Sequence, residues 1–259
     1  RLSWGQLSQP QRPDELQVTD GEREFHAVQT ATQTVGAIEH HLSNDVSLRI
    51  EAFDKRMGSV QPGYENLLDP VTLLPEIEVD RVRVAPLSSR AYGAELSMRW
   101  EPRRTWSAWL SYSWSEVTDR FADSRALRTW DQRHAAVTGV SWTRGSWQLS
   151  GNAIWHNGWR QNSLVVEAAP GGGARLVLAP RNADSGADYF SFDARASWQR
   201  ALPVGALQVY AELSNATDHA NLCCTGYRIA VPGDPASLTS ERSTWLPRYG
   251  LLGVTWLLP

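Results

Sequence analysis

Few residues of this chain have the type and spacing that catalysis or metal binding requires. Asp131 and His134 stand three positions apart and form a candidate acid–base pair. His40 and His41 are neighbours, so on a strand they would point to opposite faces, which disfavours joint ligation of a metal ion. The sequence motifs of serine hydrolases, zinc peptidases and phosphate-binding loops are absent, and the glycine run 171–173 fits a turn. The sequence therefore predicts no enzyme, no catalytic residue, no metal site and no cofactor, and it gives Asp131 and His134 a structural role where a loop rejoins a strand.

The two cysteines, Cys223 and Cys224, are adjacent in the chain. This spacing excludes the C-x-x-C motifs of zinc sites and redox centres. Two interpretations stay open: unpaired loop thiols without a role, or a vicinal disulfide that stiffens an exposed loop in an oxidising compartment.

Composition narrows the class of protein. The 259 residues carry 25 basic and 28 acidic side chains, a net charge of -3, which gives no electrostatic case for binding nucleic acid. No run approaches the roughly 18 apolar residues that a membrane helix needs. A membrane β-barrel has the same average composition, because only every second strand residue faces lipid. The unusual count is 13 tryptophans, a residue that suits buried interfaces, aromatic belts and sugar-stacking surfaces.

Alternating hydropathy predicts strands along most of the chain. In the segment 105–116, every second residue from Trp106 to Trp114 is apolar or aromatic, and three of the four between them are serines. Such runs are longer than the usual strand of about 5–6 residues and match the 9–11 residues of a membrane strand. Ten strands are predicted, at roughly 1–8, 33–43, 45–58, 90–101, 104–117, 133–143, 146–158, 187–200, 205–216 and 247–258.

The links between these strands alternate between long and short. Short links lie around Asn44 and at 101–104, 144–146 and 201–205, and the other links are long. This alternation places every long loop at one end of an antiparallel up-and-down sheet, as in outer-membrane barrels. The predicted fold is all-β: an antiparallel up-and-down transmembrane β-barrel, present in part.

Six tryptophans stand at the short-turn end of the apolar face, where an aromatic girdle would meet the lipid headgroups: Trp100, Trp106, Trp142, Trp147, Trp198 and Trp256. The opposite face would line a wet interior, because it carries Glu95, Arg99, Asp193, Arg195, Gln208 and Glu212. A soluble β-sandwich or propeller also alternates, but its core has no reason to collect tryptophan at one level of each strand.

The motifs resemble, in order, the C-terminal barrel half of TonB-dependent outer-membrane receptors. They are a Gly-x-Glu strand (Gly93, Glu95), a D-Q-R-H step (Asp131, Gln132, Arg133, His134), an N-x-T-D strand end (Asn215, Thr217, Asp218) and a final strand (Pro247, Arg248, Tyr249, Gly253). The resemblance implies that residues 1–259 are the last ten strands of a barrel of 22 strands, without the plug domain and signal peptide. Leu258 stands where the family ends in an aromatic residue, and Pro259 follows it.

The resemblance also implies a function, location and partners. The chain would lie in the bacterial outer membrane and take part in the uptake of a scarce nutrient, such as a ferric siderophore, another metal chelate, cobalamin or a carbohydrate. Its partners would be outer-membrane lipid, the nutrient, and the energy-coupling TonB complex through the missing N-terminal plug. Loop residues of cationic or aromatic type are candidate ligand contacts: Tyr64, Trp130, Arg160, Arg175, Arg181, Tyr227 and Arg228.

Two alternatives stay open. One is a truncated barrel that does not transport, or a passive pore. The other is a soluble, tryptophan-rich carbohydrate-binding β-protein. An open reading frame that continues upstream of Arg1 through a plug would favour the receptor, and the mixed loop composition leaves the cargo and its charge undefined.

Overall fold

The structure is a computed structural model that describes residues 1–69, 74–103 and 105–258. Its main feature is an antiparallel sheet of ten long strands in which sheet order follows chain order, with one short strand added beside the fifth of them. The strands are numbered along the chain together with the short ones. The ten long strands are β1 (Leu2–Gln9), β2 (Gln29–Ser43), β3 (Val46–Gly58), β6 (Ser88–Arg103), β7 (Trp106–Arg120), β9 (His134–Arg144), β10 (Trp147–His156), β15 (Tyr189–Ala201), β16 (Ala206–Ser214) and β19 (Tyr249–Leu257).

The short elements all belong to the long links. They are strands β4 (Gly63–Glu65), β5 (Val82–Val84), β8 (Arg125–Leu127), β11 (Arg160–Gln161), β12 (Leu164–Ala168), β13 (Ala174–Leu178), β14 (Asp184–Ser185), β17 (Leu222–Ile229) and β18 (Leu238–Thr244), and 3-10 turns Pro13–Glu15, Val18–Asp20, Pro75–Ile77 and Pro235–Ser237. Strand β8 extends the sheet beside β7, and the other short strands pair within their own links. Within the described ranges, no helix is long and apolar enough to cross a membrane.

All ten predicted strands are confirmed, as is the alternation of long and short links. Three strands extend two or more residues beyond their predicted bounds: β2 begins at Gln29, β6 runs from Ser88 to Arg103, and β7 ends at Arg120. The hydrogen-bonded pairing continues there although the outer face has become polar, as Thr30, Thr32 and Arg120 show, so hydropathy alternation cannot detect the extension. The predicted links at 59–89 and 101–104 include residues 70–73 and 104, which, like Pro259, lie outside the described residues.

The apolar side chains of this sheet are exposed and the buried ones are mostly polar. Among the described residues no large side chain is fully buried, whereas Leu252 and Val254 are exposed on the apolar face. The most deeply buried residues include Asn182, Asn221 and Asp131. This is the reverse of a water-soluble core, in which apolar residues are the most buried.

The strand register places aromatic residues of the apolar face at two levels. Trp106 lies directly opposite Trp142, and Trp147 opposite Trp198. All six tryptophans of the predicted girdle lie on this face beside the short turns. A second level lies eight residues along four strands, towards the long loops: Tyr92, Trp114, Trp155 and Phe190. Eight residues span about 26 Å along a strand, or about 20 Å in height at the usual barrel tilt.

The opposite, polar face carries ion pairs and rings that lie over glycines. Arg195 pairs with Glu212 of the next strand at 2.6 Å, and its guanidinium stands 4.3 Å from the ring centre of Tyr210. Tyr210 lies directly opposite Gly253, where an added Cβ would stand 2.2 Å from the tyrosine ring. Glycine at position 253 therefore makes the room in which the Tyr210 ring lies.

Two of the sequence motifs contact each other at the loop end of the sheet. Asn215 accepts a hydrogen bond from the backbone N–H of His219 at 3.1 Å and donates to its carbonyl at 3.0 Å, which closes the turn after β16. Asp218 in this turn accepts a hydrogen bond from the backbone N–H of Arg248 at 3.0 Å. The N-x-T-D strand end thus positions the start of the last strand.

Three long links are joined by a buried polar cluster, here called the loop hub: Glu65, Thr129, Asn162, Arg181 and Asn182. The Asn182 side chain donates to the carbonyl of Leu127 at 2.7 Å, and its backbone N–H donates to the side-chain oxygen of Asn162 at 2.9 Å. Glu65 accepts from Thr129 at 2.9 Å and from Arg181 at 2.5 Å. The links after β3, β7 and β10 therefore hold one another in place.

Candidate ligand pocket at the loop end of the sheet

Four rings form a continuous stack where the polar face meets the loops. His156 ends β10 and Tyr189 begins β15, and the two are direct cross-strand partners. Their rings stack at 5.0 Å, and Trp159 stacks on His156, also at 5.0 Å. Trp130 meets Trp159 edge to face at 4.5 Å. Sheet register places the first two rings, and loop packing brings the two tryptophans onto them.

A hydrogen bond to the backbone also orients the His156 ring. Its Nδ1 lies 2.9 Å from the carbonyl oxygen of Asn157. A carbonyl oxygen can only accept a hydrogen bond, so Nδ1 is the donor in this contact.

These rings border a pocket of about 230 Å³. Trp130, His156, Trp159 and Tyr189 line one side, and Trp245 also contributes. Two cations, Arg160 and Arg242, line the pocket, and no ion pair within 4.0 Å involves either one in the part of the chain that the structure describes. The pocket therefore offers flat aromatic surface together with two guanidinium groups that have no carboxylate within 4.0 Å among the described residues, a combination suited to an anion that carries rings.

The adjacent cysteines form part of the pocket wall. In the structure Cys223 and Cys224 are joined by a disulfide. Both line the pocket, and the register between β17 and β18 shifts between Leu222 and Cys224. The bonded pair thus stands at an irregularity of the hairpin, where it replaces regular strand pairing.

The structure brings two of the seven candidate ligand contacts together, Trp130 and Arg160. Arg175 pairs with Glu167 on the hairpin of β12 and β13, and Arg181 is used in the loop hub. Tyr64 lies near Arg81, whose guanidinium stands 5.7 Å from its ring centre. The remaining two, Tyr227 and Arg228, lie on β17 further along the hairpin and do not line this pocket.

Five aromatic or cationic lining residues are not predicted from the sequence: His156, Trp159, Tyr189, Arg242 and Trp245. For His156 and Tyr189 a signal was present. Both occupy polar-face positions at the loop ends of neighbouring strands, so the alternation already placed them side by side. No comparable signal marks Arg242 of β18 or Trp245 directly after it, which lie within the long link between β16 and β19.

The D-Q-R-H step is structural in its contacts. The Asp131 carboxylate accepts a hydrogen bond from the backbone N–H of Val117 at 2.6 Å, and burial raises the pKa of this carboxyl above its ordinary value. The His134 ring lies on the other side, 2.7 Å from the hydroxyl of Tyr112. Among the described residues no hydrogen bond joins Asp131 to His134, and no group of three His, Cys, Asp or Glu side chains could hold a metal ion.

Long strands in sequential antiparallel order, an exposed apolar face and loops gathered at one end define a wall of an up-and-down β-barrel. No protein-family model and no curated protein matches the sequence. Solved structures do match. The ferripyoverdine receptor of the outer membrane of Pseudomonas aeruginosa, bound to ferripyoverdine, matches with TM-score 0.58 and 14% identity over 98% of this chain and 30% of that chain.

Two transporters match similarly. The copper transporter OprC has TM-score 0.59 at 12% identity, over 98% of this chain and 36% of that one. The unliganded ferric citrate transporter FecA has TM-score 0.55 at 13% identity, over 99% of this chain and 35% of that one. The chain spans about a third of the length of these proteins. It has the fold of part of the β-barrel of TonB-dependent receptors.

Proposed function

We propose that this chain is the C-terminal part of the barrel of a TonB-dependent receptor in the bacterial outer membrane. The apolar face contacts lipid, and its two aromatic levels mark the two headgroup regions. Their separation of about 20 Å in height is close to the apolar band of roughly 25 Å in such barrels. Residues outside this chain supply the plug through which the energy-coupling complex acts.

The proposed role is binding and uptake of a nutrient, without catalysis. The pocket carries this proposal, because it joins a four-ring stack to Arg160 and Arg242, neither of which forms an ion pair within 4.0 Å among the described residues. Its position at the loop end makes it accessible from the side at which an external nutrient arrives. The chemistry favours an anionic metal chelate with aromatic rings over a neutral carbohydrate.

A binding titration tests this proposal. The chain in detergent micelles is titrated with a ferric tris-catecholate complex, and maltose is the neutral comparison; tryptophan fluorescence reports occupancy. We expect saturable quenching by the chelate that weakens roughly 10- to 100-fold in Arg160→Gln or Arg242→Gln, because each removes one charged contact. Arg175→Gln, which removes a cation outside the pocket, should bind as wild type.

Two results would oppose the proposal. Equal affinity of all three variants would place the ligand outside the pocket. Absence of saturable binding would favour the passive-pore interpretation. Sequencing of the coding DNA upstream of Arg1 separately tests the receptor assignment, which requires a plug in the same frame.

A further inference from the structure

The apolar face becomes cationic immediately beyond the second aromatic level. Three arginines of neighbouring strands lie there on the same face: Arg56 of β3, Arg90 of β6 and Arg120 of β7, here called the outer arginine patch. Arg56 lies directly opposite Arg90. Arg120 lies opposite Ser88, which is two residues closer to the loops than Arg90. On this face Arg90 stands two residues beyond Tyr92, and Arg120 stands six residues beyond Trp114. The patch therefore continues the apolar face on the loop side of both rings.

Local contacts hold the patch in place before any ligand arrives. Asp54 accepts two hydrogen bonds from Arg90, both at 3.0 Å, and two from Arg56, at 3.1 and 3.3 Å. Arg90 also stands 4.8 Å from the ring centre of Tyr92. One carboxylate thus fixes two guanidinium groups side by side, which lowers their mutual repulsion and the entropy lost on binding an anion.

The patch keeps excess positive charge and free donors. A guanidinium has five N–H groups, and the bonds to Asp54 leave several of them on each arginine. The Arg56 side chain is 70% exposed and that of Arg90 is 44% exposed. Arg120 donates to the hydroxyl of Ser88 at 3.3 Å and forms no ion pair within the described ranges. The other nearby carboxylate, Glu116, is paired with Arg133 at 2.7 Å.

We propose that the outer arginine patch binds the phosphate of a lipid headgroup in the outer leaflet. Guanidinium groups bind phosphate oxygens in a bidentate geometry, and this patch lies where a lipid whose acyl chains cover the apolar face would place its phosphate. The inference rests on the proposed membrane position of the chain and is independent of the pocket ligand. The proposed lipid site lies on the apolar face of the sheet, whereas the nutrient pocket lies on the polar face.

Native mass spectrometry of the chain in detergent tests this site. The probe is phosphatidic acid, and phosphatidylcholine with the same acyl chains is the comparison. We expect tight adducts with phosphatidic acid, weakened on the order of 10- to 100-fold in the triple variant Arg56→Gln/Arg90→Gln/Arg120→Gln. The matched control, Arg12→Gln/Arg175→Gln/Arg228→Gln, loses the same charge from exposed loops and should retain the adducts.

The inference is overturned if the triple variant retains phosphatidic acid, or if the loop control loses it to the same extent. Inorganic phosphate at the same concentration should not displace the lipid; displacement would show a phosphate site without lipid specificity and would also overturn the inference. The ferric tris-catecholate titration, repeated on the triple variant, separates the two proposals, since loss of lipid with unchanged chelate binding concerns this site alone.

Discussion

The contact between Tyr210 and Gly253 gives the sharpest test of how the wall is packed. In Gly253→Ala the new methyl group would stand 2.2 Å from the tyrosine ring, so the ring must leave its place. Overpacking of this kind costs about 1–3 kcal/mol. Displacement of the ring also removes its contact with Arg195, at 4.3 Å, which is worth about 0.5–1 kcal/mol at an exposed site. We therefore expect Gly253→Ala to lower the free energy of unfolding by about 1.5–4 kcal/mol.

The measurement is urea unfolding of the chain in lipid vesicles, followed by tryptophan fluorescence. Gly5→Ala is the control, because an added Cβ at Gly5 meets nothing within 4 Å. It should be neutral or slightly stabilising, since alanine loses less conformational entropy than glycine.

A double-mutant cycle decides the cause. In a Tyr210→Ala background the ring is gone, so Gly253→Ala should cost almost nothing further. The reasoning is refuted if Gly253→Ala costs the same with and without the ring, because the loss would then come from the backbone of β19.

Three further changes have defined outcomes. Burial raises the pKa of Asp131 above its ordinary value of 3.8, so the folded state holds this proton more tightly, and stability should fall as pH rises from 3.8 through the raised pKa. Asp131→Asn should flatten that fall in urea titrations between pH 3.5 and 7; a wild-type slope that survives in the variant would contradict the assignment. Asn182→Ala removes the side-chain bonds to Leu127 and Thr129, which join two long links, so amide exchange should accelerate in residues 121–133 and 157–188 together, whereas Asn44→Ala in an exposed turn should change neither. Cys223→Ser/Cys224→Ser opens the pocket wall and should weaken ferric tris-catecholate by at least about fivefold in the fluorescence titration; unchanged affinity would mean that the disulfide does not shape the pocket.

The wall of the protein could be predicted from sequence because period-two alternation is a local property. Every residue from Trp106 to Trp114 except Trp109 has a type that matches its face, and the short turns fix the antiparallel order. The extension of β2 back to Gln29 could not be predicted this way, since the outer face there carries Thr30 and Thr32 in place of apolar residues.

The pocket could be predicted only in part: two of its residues from their chemical type, and His156 and Tyr189 from the sheet register. Trp130 and Arg160 are predicted as ligand contacts from their chemical type, and both line the pocket. Arg181 is predicted on the same grounds, but it pairs with Glu65, far away in the sequence, in the loop hub. Which cation is neutralised and which is free depends on contacts between distant loops, and residue types do not encode such contacts locally.

The loop hub defines what can be exchanged between barrels of this kind. Asn182 belongs to one long link, yet it is held by Leu127 and Thr129 of a second, and Glu65 of a third closes the cluster. A graft that replaces any one of these links alone leaves buried polar groups of the hub, such as the Asn162 and Asn182 amides, without partners, which costs about 1–3 kcal/mol for each group. The three links therefore form a single transplantable unit, and new ligand specificity would be engineered by moving them as a set.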